Sequence, residues 1–188
     1  SFAVSGIKPI SSLTVGLLGF GRIAKKVAEK LKPFGAEIIT HDAFIPREIF
    51  EEYGVESVSF DDLMQRSDHL SLHVPLTGDT KHIINADSLK LMQDGTYIIN
   101  TCRGGIIKED DLVQAIESGK VGGAALDVLE QEPPDFSSSL LNKEEVLITP
   151  HSAYYSDEAL KNLRVKSCDK AVEAMETGTI GTALNKDE

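Results

Sequence analysis

Leu13-Thr14-Val15-Gly16-Leu17-Leu18-Gly19-Phe20-Gly21-Arg22-Ile23-Ala24 reads as a buried strand that turns at two glycines directly into a helix continuing through Lys25 to Leu31. Each small residue in the Gly-x-Gly-x-x-Ala turn has a job. Gly19 permits the tight turn, Gly21 lets a pyrophosphate approach the backbone, and Ala24 lets the helix pack close to the strand. The free amides at the helix start, those of Arg22 and Ile23 among them, then face an anion. A dinucleotide also needs an acid at the end of the next strand to accept its ribose hydroxyls. Asp42 stands 21 residues after Gly21 and follows Ile38-Ile39-Thr40-His41. A carboxylate there selects NAD over NADP, because it repels the extra phosphate. Arg47 reads as an exposed residue at a helix start.

Outward from this unit, short apolar runs alternate with amphipathic stretches, the pattern of parallel strands joined by crossover helices. Strands are expected near 13 to 18, 36 to 40, 69 to 73, 96 to 100, 122 to 126 and 146 to 149, with helices over Arg22 to Lys32, Pro46 to Tyr53, Phe60 to Gln65, Ala86 to Met92 and Lys108 to Ser118. The fold class is α/β: a Rossmann-type doubly wound, mostly parallel sheet with helices on both faces. A last helix, Ser156 to Thr177, carries an approximate apolar stripe and stops at Gly178. The turn-forming stretch from Glu132 to Ser139 reads as a surface loop.

The 188 residues suit one core, and the net charge of -11 opposes nucleic acid and anionic membrane surfaces at long range. An anionic cofactor must therefore be held by local groups. Two cysteines, Cys102 and Cys168, make neither a disulfide framework nor a thiolate metal site, and no metal-ligand spacing joins His41, His69 and His82, which read as structural or exposed. No leader or membrane-length apolar run is apparent, so a cytoplasmic location is expected. The first residue is Ser, which suggests a chain that begins inside a longer gene product.

Four further stretches carry a resemblance. They are Ser71-Leu72-His73-Val74-Pro75-Leu76-Thr77 with Thr80 beyond, Ile98-Ile99-Asn100-Thr101-Cys102-Arg103-Gly104-Gly105, Gly123-Ala124-Ala125-Leu126-Asp127-Val128 running to Glu132-Pro133, and Thr149-Pro150-His151-Ser152-Ala153. With the glycine turn, their order and spacing resemble the D-2-hydroxyacid dehydrogenases over nearly the whole chain. That family includes phosphoglycerate, glycerate and D-lactate dehydrogenases and the C-terminal-binding-protein corepressors.

The resemblance implies a reaction and its residues. Arg103 matches the residue that binds the substrate carboxylate and polarises the 2-keto group, for which a guanidinium fork is suited. His151 matches the proton carrier, and Glu132 matches the acid that orients it and favours its charged form. Glu130 is the near neighbour that the family pattern passes over. For the cofactor, the resemblance implies that Gly19, Gly21, Arg22 and Ile23 meet the pyrophosphate and that His73, Val74 and Pro75 wall the adenosine side. It places Thr80 on a phosphate, Thr101, Cys102 and Asp127 around the nicotinamide, and His151 and Ala153 nearby. Departures are small: Cys102 stands where Ala or Ser is frequent, and Ala24 replaces a frequent third glycine.

The expected activity is NAD-dependent hydride transfer between nicotinamide and C2 of a small 2-hydroxy or 2-keto acid, by a homodimer that engages neither nucleic acid nor membrane. An NAD(H)-sensing interaction protein like the corepressor branch is the alternative. Residues 1–188 read as the NAD-binding domain, with 1–10 and 179–188 as connections to a substrate domain absent from this chain.

Overall fold

The computed structural model describes residues 8–179, so the connections read at 1–10 and 179–188 fall mostly outside the described residues. Among the described residues, seven strands form one sheet: β1 (Thr14–Leu18), β2 (Glu37–His41), β3 (Glu56–Ser57), β4 (His69–Leu72), β5 (Thr96–Asn100), β6 (Val121–Leu126) and β7 (Val146–Ile148). Their order is β3-β2-β1-β4-β5-β6-β7, and every pairing is parallel. The helices are α1 (Arg22–Leu31), α2 (Arg47–Tyr53), α3 (Phe60–Arg66), α4 (Ala86–Leu91), α5 (Glu109–Glu117) and α6 (Asp157–Thr177). The expected α/β class and doubly wound sheet are therefore present. The two-residue β3 and the short 3-10 turns, including Gly104–Ile106 and Ser139–Asn142, are additions that apolar periodicity did not announce.

Alternation along the strands feeds two cores. Val15, Leu17 and Ile38 join Phe20, Ala24, Ala28 and Phe50 under α1 and α2. Leu18, Ile39, Leu70, Leu72, Ile98 and Leu126 join Leu63, Leu89 and Leu112 from α3, α4 and α5. A two-residue period on parallel strands buried from both sides requires this division.

Helix starts differ in a telling way. The Ser59 hydroxyl accepts from the Asp62 amide at α3, Asn85 and Ser88 form a reciprocal box at α4, and the Ser156 hydroxyl accepts from the Ala159 amide at α6. α1 begins at Gly21, with no side-chain cap and no acid in its first turn. Its leading amides are thus left to an external acceptor.

The chain divides into two compact units, Ser1–His151 and Ser152–Glu188. The first contains the sheet. The second contains the turn Ser152 to Tyr155, closed by Tyr155 N donating to Ser152 O at 2.8 Å, and then α6, which ends at Gly178 with φ 71°. None of the residues of α6 is buried. No helix among the described residues is long and apolar enough to cross a membrane.

Candidate active site

β1 has β2 on one side and β4 on the other, so the connections from these strands leave in opposite directions and open a crevice at their C-terminal ends. The glycine turn occupies that crevice. Gly19 has φ 89°, and its N–H donates to His41 O at 2.8 Å, which ties the turn to the end of β2. A Cβ at Gly19 would lie 2.9 Å from His73 O and from Val74 Cγ1, so the backbone after β4 presses against the turn from the far side. A Cβ at Gly21 would meet nothing within 4 Å, which leaves open space beside the uncapped start of α1.

Between the glycines, Phe20 is fully buried, with its ring 5.4 Å from that of Phe50 and 5.6 Å from that of Tyr53. Burying such a ring contributes about 1.5–3 kcal/mol, so it acts as the pin that fixes the turn. Asp42 supports the same turn. One carboxylate oxygen accepts from Phe20 N at 2.8 Å and the other from Phe44 N at 2.9 Å. Each oxygen retains a second lone pair, so a ribose hydroxyl can be accepted without breaking either bond. Arg47 pairs with Glu51 at 3.0 Å on the surface of α2.

Beyond β4, burial holds His73 down to a pKa of about 4, so its ring is neutral near pH 7. Its Nε2 lies 3.0 Å from the Ser71 hydroxyl, a pairing internal to the wall. Thr80 closes the turn that follows Pro75: its hydroxyl donates to Pro75 O at 2.5 Å and accepts from Thr77 N at 2.8 Å.

The turn after β5 is organised by Asn100, which is 1% exposed. Its Nδ2 donates to Arg103 O at 2.9 Å, and its Oδ1 accepts from Cys102 N at 3.1 Å and from the Cys102 thiol at 3.0 Å. Burial pushes the Cys102 thiol up, so it stays protonated and serves as a donor. Thr101 is exposed beside it, and the Arg103 guanidinium is exposed with Nη1 donating to Cys102 O at 2.6 Å. Asp127, buried at the end of β6, accepts from the Thr149 hydroxyl at 2.5 Å.

Arg103, Glu132 and His151 line one cleft, together with Leu76, Gly104, Gly105 and Glu130. His151 Nδ1 lies 2.8 Å from Glu132 Oε2, while Glu132 Oε1 accepts from Leu129 N at 3.0 Å. The hydrogen bond from His151 and the backbone N–H hold the Glu132 carboxyl below its ordinary value, against a smaller opposing effect of burial. An ionised carboxylate only accepts, so Nδ1 carries the proton of this bond. His151 adopts φ 51°, a strained backbone for a non-glycine residue and one that accompanies functional positions. Ala153 belongs to the second unit and is exposed in its opening turn.

Residues 3–153 match the family described as D-isomer specific 2-hydroxyacid dehydrogenase, NAD binding domain. The chain belongs to this dehydrogenase family. A D-lactate dehydrogenase of Lactiplantibacillus plantarum is 37% identical over 193 aligned residues, 96% of this chain and 58% of that protein. The crystal structure of a glyoxylate reductase from Paecilomyes thermophila has a TM-score of 0.88 at 36% identity, covering 96% of this chain and 55% of that one. A D-lactate dehydrogenase from Aquifex aeolicus, crystallised with NAD and lactic acid, has a TM-score of 0.82 at 37% identity over 91% of this chain and 55% of that one. The chain thus spans little more than half the length of these dehydrogenase relatives.

Within this NAD-binding domain of the dehydrogenase family, the parts played by four residues were not legible in the sequence. Asn100 clamps the Arg103 turn, His82 and Glu130 pair across 48 positions, and Gly104 admits a close backbone approach. A Cβ on Gly104 would lie 1.9 Å from Leu129 C and 2.5 Å from Glu130 N. Only a glycine lets the Arg103 turn touch the loop that bears Glu132. Gly104→Ala is expected to lower stability by about 1–3 kcal/mol or more, read as a lower urea midpoint at unchanged slope. An unaltered midpoint would show that the two loops separate without cost.

Proposed function

We propose that this chain is the cofactor-binding part of an NAD-dependent oxidoreductase that interconverts D-2-hydroxy acids and 2-keto acids. The observation that carries the reading is one cleft with an anion-binding guanidinium, Arg103, and a hydrogen-bonded acid–base pair, Glu132 and His151, at 2.8 Å. The residues around the crevice suit the dinucleotide: an uncapped helix start, open space at Gly21 and a carboxylate with unused lone pairs at Asp42.

When bound, NAD(H) supplies or accepts the hydride at the substrate C2. The chain does the rest. Gly19, Gly21 and the amides of Arg22 and Ile23 would hold the pyrophosphate, with Thr80 at its edge; Asp42 would take the adenosine ribose, and His73, Val74 and Pro75 would wall that side. Thr101, Cys102 and Asp127 would line the nicotinamide pocket. Arg103 swings off Cys102 O to grip the substrate carboxylate through two parallel hydrogen bonds and polarises the 2-keto oxygen. His151 Nε2 gives that oxygen a proton in reduction and removes it in oxidation, while Glu132 stabilises the imidazolium through Nδ1.

The length beyond this chain in its relatives supplies the opposite wall of the cleft. Turnover of 2-keto acids by NADH is therefore expected to be absent or slow for this chain alone and substantial for the complete protein. Substantial rates from the chain alone would refute that division of labour. The enzyme reading is preferred to NAD(H)-sensing corepression because the matched relatives are dehydrogenases and reductases and all three acid–base and anion-binding residues are present. A cytoplasmic homodimer is the assembly we propose.

Asp42 sets a second expectation. Calorimetric titration should give an NADH affinity at least about tenfold above that for NADPH, since placing a 2'-phosphate against a carboxylate costs more than 1.4 kcal/mol. Equal affinities would mean that Asp42 does not face the ribose.

A further inference from the structure

His82 and Glu130 sit beside the cleft without a role in the chemistry proposed above. His82 opens a turn: its N–H donates to Gly105 O at 2.9 Å, so its backbone is fastened to the Arg103 turn. It has φ 53°, a left-handed conformation that is strained in a non-glycine residue and persists where the surroundings impose it. Its Nε2 reaches 2.6 Å to Glu130 Oε1. The other Glu130 oxygen accepts from Glu109 N at 3.3 Å, the first amide of α5, and Glu130 N donates to the Glu109 carboxylate. α5 has no cap of its own, because Lys108 stands at its start, so Glu130 serves α5 from a distant loop.

We infer that His82 and Glu130 are positioning residues, a staple that holds the Arg103 turn and the Glu132 loop in one register and so sets the anion-binding guanidinium opposite the acid–base pair. This rests on the roles given to Arg103, Glu132 and His151 under the proposed function. The connection is short. Leu129, next to Glu130, donates the backbone bond that orients Glu132, and Gly104, next to Arg103, lies against that same Leu129–Glu130 backbone. Releasing Glu130 frees the segment whose N–H aims the Glu132 carboxylate. Around Glu132 stand His151 across its hydrogen bond, Asp127 as a like charge, and Arg103 and Glu130 along the cleft. Around the staple stand Glu109, Asp110 and Asp111.

The test follows the Glu132 carboxyl by carbon-13 NMR titration in this chain, as wild type, Glu130→Ala, Glu130→Gln and His82→Asn. Asparagine tolerates the left-handed backbone, so His82→Asn removes the ring contact and leaves the turn. In Glu130→Ala and His82→Asn the titration of Glu132 moves up from its depressed position towards that of an ordinary glutamate. Glu130→Gln keeps an acceptor for Glu109 N and replaces the acceptor facing His82 by an amide N–H, which Nε2 accepts in the other imidazole tautomer, and stays close to wild type. In the complete protein, the same two disruptive variants lower kcat/KM for a 2-keto acid on the order of 10- to 100-fold at unchanged NADH affinity. A helix cap alone would lower the urea midpoint and leave Glu132 where it was. Folded variants with a wild-type Glu132 titration overturn the staple, and His82→Asn decides if Glu130→Ala does not fold. Failure of the underlying reading is distinct: the complete wild-type protein would then lack keto-acid turnover while the titrations still move.

Discussion

Arg103→Ala in the complete protein should reduce kcat/KM for 2-keto acids by roughly 100- to 10,000-fold, the equivalent of losing a charge-paired hydrogen bond worth about 3–5 kcal/mol. Most of the loss should appear in KM, because the carboxylate grip is lost before the chemistry begins, with a part in kcat from the lost polarisation of the keto oxygen. NADH affinity should stay within about twofold of wild type. The guanidinium is exposed and donates to Cys102 O, while the Asn100 clamp holds the Arg103 backbone, so its removal should leave that clamp and the glycine turn intact. Arg103→Lys should recover little of the rate, since an ammonium cannot make the two parallel bonds. Steady-state kinetics with NADH binding measured in parallel checks this. A variant with near-wild-type KM would remove Arg103 from the substrate site.

His151→Gln should lower kcat by about 100- to 10,000-fold with little change in NADH affinity, because the proton carrier is lost and the cofactor crevice is not. The pH dependence should change with it. Glu132 is depressed in the folded chain, chiefly by the hydrogen bond from His151. A depressed carboxyl stabilises the fold fully above the ordinary glutamate value of 4.5, and that contribution disappears as pH falls through the lower folded value. Removing the imidazole should therefore flatten the acid side of the stability profile, seen by thermal melts between about pH 3 and pH 6. The flattening is modest, since the two side chains are 44% and 39% exposed and solvent screens the pair. Unchanged kcat in His151→Gln would dismiss His151 as the proton carrier.

Much of this was legible from residue order because local chemistry specifies it. The run Leu13 to Leu18, the two glycines and Asp42 produced strand, turn, helix start and acid where the sequence puts them. β3 was not legible, since Glu56 and Ser57 are two exposed polar residues whose strand character comes only from pairing with Ile39 and Thr40. The stripe on α6 was legible as an amphipathic face, yet none of its residues is buried, because periodicity gives a face and not its cover. Asp42 showed its carboxylate but not its two backbone bonds at the glycine turn. The His82–Glu130 contact was invisible for a plainer reason: 48 positions separate the pair, and only the fold brings them to 2.6 Å.

Hydride transfer from NADH to C2 of a 2-keto acid, giving the D-hydroxy acid, is the reaction proposed for the complete protein. Its most direct test incubates the complete protein with NADH deuterated at C4 of the nicotinamide and a panel of small 2-keto acids, followed by chiral separation and mass spectrometry. Deuterium at C2 of the D enantiomer, lost in Arg103→Ala and His151→Gln, is the predicted result. Bound NADH with no deuterium transferred to any acid, or transfer to the L enantiomer, would contradict it.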